Sequence, residues 1–73
     1  MPETLGERLK FALKIRKIKQ KDFAKMIGVH EVSVWRYIND KEKPSADTIV
    51  KICLALGISA DWLLGLLKKE EEQ

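Results

Sequence analysis

Seventy-three residues, 45% hydrophobic and 34% charged, bound a single small domain. A chain of this size buries only roughly 60% of its unfolded surface, which leaves little room for an enclosed catalytic cavity. No apolar run reaches bilayer length and no basic-then-apolar leader opens the chain. The lone Cys53 excludes an internal disulfide, so the expected setting is a reducing cytoplasm.

Net charge is +3, unevenly placed. Residues 1–43 hold 11 Lys/Arg against 6 Asp/Glu, whereas residues 44–73 hold 3 against 5. A basic N-terminal half suits a polyanionic partner, and the plainer alternative is a solvated helical surface.

Met1 to Thr4 read as a short arm, with Pro2 tolerated before a helix. Thr4 followed by Glu7 makes a capping-box pattern that starts a first helix. Leu5, Leu9, Ala12, Leu13 and Arg16 fall on one stripe, while Arg8, Lys10, Lys14 and Lys17 are expected to face water. Phe11 and Ile15 lie off the stripe, as peripheral core or as exposed apolar surface. The helix is expected to end near Lys17, with Ile18 turning inward.

A second helix is predicted over about Gln20 to Ile27 and a third over about Glu31 to Asn39. Their apolar faces carry Phe23, Ala24 and Ile27, then Val34, Tyr37 and Ile38. Gly28 stands where a left-handed residue must stop the second helix. The small Ala24, four residues earlier, lets the third helix cross closely. Asn39 to Pro44 form a polar loop that Pro44 keeps from continuing as helix. Ser45 caps a fourth helix with Ile49, Ile52, Cys53 and Leu56 as its core positions, closed by Gly57. Ile58 turns inward, and Ser59 caps a last helix, Ala60 to about Leu66, anchored by Leu63. Residues 68–73 are a charge run expected to fray.

The stretch Gln20 to Asn39, with its small residue, turn glycine and apolar positions, resembles the helix-turn-helix of the Cro/repressor class, also called XRE-like. The resemblance runs from about Leu5 to Gly65. It implies an all-α, lambda-repressor-like domain of five helices over residues 1–67, followed by the tail. It also implies a transcriptional regulator, most simply a repressor, that binds a palindromic operator in double-stranded DNA as a homodimer.

The positions matching the motif's base-reading residues are His30, Glu31, Val32, Ser33 and Arg36. Arg36 suits a bidentate guanine contact, Glu31 can accept from cytosine, and Val32 can meet a thymine methyl. Glu31 also has a local explanation, since negative charge is favoured at a helix N-terminus. Phosphate contacts fall to Gln20, at the start of the second helix, with Lys19, Lys21, Asn39, Lys41 and Lys43 around it.

Three departures stand out. Lys19 replaces the Ser, Thr or Asn that usually caps the second helix, weakening the cap by ~1 kcal/mol. His30 replaces a small hydroxyl residue. Leu13 and Ile38 stand where many relatives carry a buried Arg–Glu pair, so these two side chains are expected to touch in the core.

Trp62, Leu66 and Leu67 form a candidate dimer patch, the alternative being that Trp62 folds back over the first and fourth helices. Trp35, beside Val34 and opposite the buried stripe, is expected to be partly exposed, lying along the DNA backbone, covering the adjacent loop with its ring or sitting at a protein contact. Catalysis, metals and cofactors are not expected, because no metal-spaced cluster, Cys–His pair or Gly-rich phosphate loop is present. The competing reading is a protein-interaction module, an antitoxin or anti-repressor partner that uses Trp35 or Trp62.

Overall fold

A computed structural model describes residues 2–67. Met1 and the charged tail, residues 68–73, lie outside the described residues, and with them the expected fraying. Five helices run in order: α1 Leu5–Arg16, α2 Gln20–Ile27, α3 Glu31–Ile38, α4 Ala46–Leu56 and α5 Ala60–Leu64.

Short polar side chains set three of the starts. The Thr4 hydroxyl accepts from the Glu7 amide at 3.0 Å, and the Glu7 carboxylate accepts from the Thr4 amide at 3.1 Å, completing the capping box of α1. Ser45 and Ser59 accept from the Thr48 and Trp62 amides and start α4 and α5 in the same way. Each such cap is worth about 1 kcal/mol.

Left-handed residues set most of the ends. Lys17 closes α1 at φ 58° and Ile18 follows it inward. Gly28 closes α2 at φ 71°, where any side chain would be strained. Two expected ends move. α3 stops at Ile38, with Asn39 as its cap, and α5 stops at Leu64 rather than Leu66 because Gly65 turns left-handed at φ 78°.

The core is shared by all five helices. Leu9, Phe23, Val34, Ile52 and Leu63 are fully enclosed, each stabilising by about 1.5–3 kcal/mol, and Ala12, Leu13, Ala24, Ile27, Tyr37, Ile38 and Leu56 surround them. Leu13 and Ile38, the apolar replacements for an ion pair, both enter this core. Ile49 and Cys53 sit half-buried at its edge. Partial burial pushes the Cys53 thiol up, so it stays neutral among its apolar neighbours. Phe11 and Ile15 are exposed on α1.

Two arginines of α1 tie the frame together. Arg8, expected in water, is half-buried. Its Nε–H donates to the Leu63 carbonyl at 2.8 Å and its Nη1–H to the Glu3 carbonyl at 2.9 Å. Arg16 Nε–H donates to the Leu56 carbonyl at 2.9 Å. Each guanidinium thus satisfies a carbonyl in the last turn of α5 or α4 and places positive charge at the negative end of that helix.

Asp40 does the same work at the other pole. At φ 57° it turns the chain after α3, and its carboxylate accepts from the Thr4 hydroxyl at 2.6 Å and the Gly6 amide at 2.9 Å. α1 can approach α3 this closely because residue 6 is glycine. A Cβ there would lie 2.6 Å from the Tyr37 carbonyl oxygen and in hard contact with that of Ile38.

Candidate nucleic-acid interface

The helix-turn-helix pair is α2 and α3. Both begin without a side-chain cap, since neither the Lys19 nor the His30 side chain accepts a hydrogen bond at its helix start. The first amides of each helix thus receive no side-chain oxygen. In α3 the Ser33 amide donates to the His30 carbonyl at 3.0 Å, and each first turn carries one acidic residue, Asp22 or Glu31.

These two starts share one open groove. A cleft of about 670 Å³ is bordered by Lys19, Gln20 and Lys21 from the start of α2, Glu31 from the start of α3, and Lys10 and Lys14 from α1. Leu13, Ile18 and Ile38 form its apolar side. Four lysines thus face one glutamate around an uncharged floor. Among the predicted phosphate residues, the groove gathers Lys19, Gln20 and Lys21.

Lys41 and Lys43 lie apart, exposed in the α3–α4 loop, and Lys43 borders a separate hollow with Thr4, Arg8 and Asp40. Asn39 is committed locally, its Nδ2–H donating to the Trp35 carbonyl at 2.9 Å. Lys10 and Lys14 were read only as solvated. Their spacing of four residues does put them on one helical face, but that the face borders α2 follows from tertiary packing.

Of the predicted base-reading residues, His30, Glu31, Val32 and Arg36 are exposed and Ser33 is half-buried. Val32, at 51% exposed, is an apolar side chain standing in water on the outer side of α3. Arg36 lies one turn further along the same side. Its only ionic neighbour among the described residues is Glu42, at 3.9 Å, with both side chains about half-exposed. The loop places Glu42 there because the Lys41 and Glu42 amides both donate to the Arg36 carbonyl, at 2.8 and 3.3 Å.

Trp62 does not stand free. It is half-buried against the core and its ring is 6.4 Å from that of Phe11 on α1, the first-helix half of the fold-back alternative. Leu66 and Leu67 are about 60% exposed beyond α5.

Among the described residues no group of three or more His, Cys, Asp or Glu side chains could hold a metal, and no helix is long and apolar enough to cross a membrane.

Two closely packed short helices, the second carrying an outward row of polar and apolar side chains, define the helix-turn-helix class. The family profile described as a helix-turn-helix domain matches residues 6–67, and the chain belongs to that family, in its Cro/repressor type. It is 31% identical over 62 residues to repressor protein C2 of Salmonella phage P22, a match covering 85% of this chain and 29% of that protein. The chain thus spans under a third of that relative's length.

Among solved structures it is similar to the P22 c2 repressor protein in complex with a synthetic operator, with a TM-score of 0.84 at 29% identity, over 89% of this chain and 98% of that one. A solution structure of the DNA-binding domain of the same repressor gives a TM-score of 0.80 at 28% identity, over 86% and 83%.

Proposed function

We propose that this chain is a sequence-specific DNA-binding domain of a transcriptional repressor, cytoplasmic and non-catalytic, that places α3 in the major groove of its operator. The observation that carries this reading is the convergence of two uncapped helix starts and four lysines on one groove beside the exposed Val32 and Arg36. Anion binding at open helix N-termini holds the phosphates, while Arg36, Val32 and Glu31 meet base edges and His30 and Ser33 flank them. The likeness to a repressor solved on its operator supports the same orientation.

Lys41, Lys43 and Asn39 complete the phosphate set from the far end of α3, and the cationic surface makes the affinity salt-dependent. A homodimer on a palindromic site fits Leu66 and Leu67, two large apolar side chains left exposed beyond α5.

Selection from a random duplex library at about 100 mM salt tests this directly. The expected result is a two-fold palindrome with half-sites about 10 bp apart. Arg36→Ala then lowers affinity for that site by about 1–3 kcal/mol and relaxes preference at one base position per half-site. Absence of any enriched sequence overturns the reading in favour of a protein-interaction module.

A further inference from the structure

Residues four and three apart share a helical face, so Val32, Arg36 and Asn39 form one exposed row on α3, and the exposed Glu31 and Trp35 form the next, which runs into the buried Ile38. The second row is fixed in place at both ends, because Glu31 and Ile38 each border the lysine-rimmed groove. Trp35 does not itself line the groove, but the helical spacing puts it one turn after Glu31, on the flank of α3 between the groove and the base-reading row.

The ring is 48% exposed. Tryptophan is ordinarily well buried, and covering it removes up to about 150–250 Å² of largely apolar surface from water. The bond that Asn39 Nδ2–H donates at this residue goes to the backbone carbonyl and leaves the indole unengaged. Among the described residues the aromatic pair, Phe11 with Trp62, involves α1 and α5 and not this helix. A large ring on a helix otherwise given to polar recognition therefore lacks the packing that its size calls for.

The groove beside it states what would cover it. Its rim holds Lys10, Lys14, Lys19 and Lys21 against the single Glu31, and its floor is apolar. An occupant that matches is anionic along its edge and carbon-rich between its charges. A deoxyribose-phosphate strand has that alternation, with a phosphate at each step and sugar carbons between. We propose that Trp35 packs its ring on the deoxyribose of a strand seated in this groove and donates its indole N–H to a phosphate oxygen.

The assignment rests on the DNA-binding reading above and adds to it a contact that reads no base. Backbone contacts fix register and carry no direct sequence information. Loss of the ring therefore weakens binding to every duplex alike.

The test uses the uniformly ¹⁵N-labelled wild-type domain, whose two tryptophans give two indole N–H resonances, assigned with Trp35→Phe. On titration with the selected duplex, the Trp35 resonance shifts and its exchange with water slows, while the Trp62 resonance stays. In parallel, anisotropy of a fluorescein-labelled duplex reports binding. Trp35→Ala weakens the selected and a scrambled duplex by about tenfold each, the low end of what an aromatic platform contributes to nucleic-acid binding. Trp35→Phe, which keeps a ring and loses one hydrogen bond, weakens both by about threefold.

An unmoved Trp35 resonance with full-affinity DNA binding overturns the proposal and leaves the DNA reading standing, whereas absence of binding to any duplex overturns both. A loss confined to the selected duplex makes Trp35 a base reader and overturns backbone packing. A shift on raising protein concentration without DNA assigns the ring to a contact between copies, and also overturns it.

Discussion

The helices that build the frame and the helices that form the turn begin differently. α1, α4 and α5 start on Thr4, Ser45 and Ser59, each of which accepts an amide hydrogen bond. α2 and α3 start on Lys19 and His30, whose side chains accept none. The frame is also closed at its other poles, by Arg8 on the Leu63 carbonyl, Arg16 on the Leu56 carbonyl and Asp40 on the Gly6 amide. The domain thus satisfies polar groups internally where an element only holds the fold. It leaves about 1 kcal/mol of capping unmade at each helix of the recognition pair. Under the DNA-binding reading, phosphate oxygens complete those two starts.

The comparison is tested hardest at the closed end of the frame. Gly6→Ala drives a methyl into the Tyr37 and Ile38 carbonyls, and both obstructing atoms are backbone. Overpacking that cannot relax through side-chain rotation costs about 3 kcal/mol. In a domain of this size the melting temperature falls by more than 10 °C, at about 4–8 °C per kcal/mol. A loss below about 1 kcal/mol on urea unfolding would show that α1 and α3 can part without penalty. Asp40→Ala removes the acceptor for Thr4 and Gly6 and leaves a Cβ at φ 57° without the hydrogen bonds that hold it there. About 2 kcal/mol is expected from the lost hydrogen bonds. Asp40→Gly, which relieves only the backbone, recovers part of it.

Legibility in the sequence divided along the same line. Periodicity, caps and turn glycines are local signals, so Thr4 with Glu7, Gly28, Ser45 and Ser59 placed the helices to within two residues. What local signals cannot carry is the partner of a polar side chain across the fold. Arg8 looked solvated because its acceptor is 55 residues away, and Asp40 looked like a turn residue because its two donors are 34 and 36 residues away. Trp62 left two readings open until α5 was placed against Phe11. At the candidate interface, Lys19, Gln20 and Lys21 were legible because motif position gave them, whereas Lys10 and Lys14 were not, because only packing brings α1 to the same groove.

At the open end, Lys19→Ser supplies the oxygen that α2 lacks. Stability rises by about 0.5–1 kcal/mol on thermal or urea unfolding. One cation leaves the groove at the same time, so the slope of log affinity against log salt shrinks by about 0.9 if Lys19 neutralises a phosphate. Opposite movement of stability and affinity shows that Lys19 gives up a cap for a phosphate-binding charge. If both rise together, Lys19 neutralises no phosphate.

The smallest effect separates two roles for Glu42, whose carboxylate lies 3.9 Å from the Arg36 guanidinium. As an exposed pair it is worth no more than about 1 kcal/mol, and breaking it leaves stability within about 0.5 kcal/mol of wild type. Glu42→Gln frees Arg36 and removes negative charge from the loop beside the base-reading row. Affinity for the selected duplex therefore rises, by less than about fivefold since that is what 1 kcal/mol allows. The gain shrinks as salt screens the carboxylate, and preference among base sequences is unchanged. If Glu42 instead held Arg36 in its reading geometry, the variant would lose preference at the position that Arg36→Ala relaxes. Comparing the selected sites of the two variants decides between a restraint that DNA displaces and a brace that recognition needs.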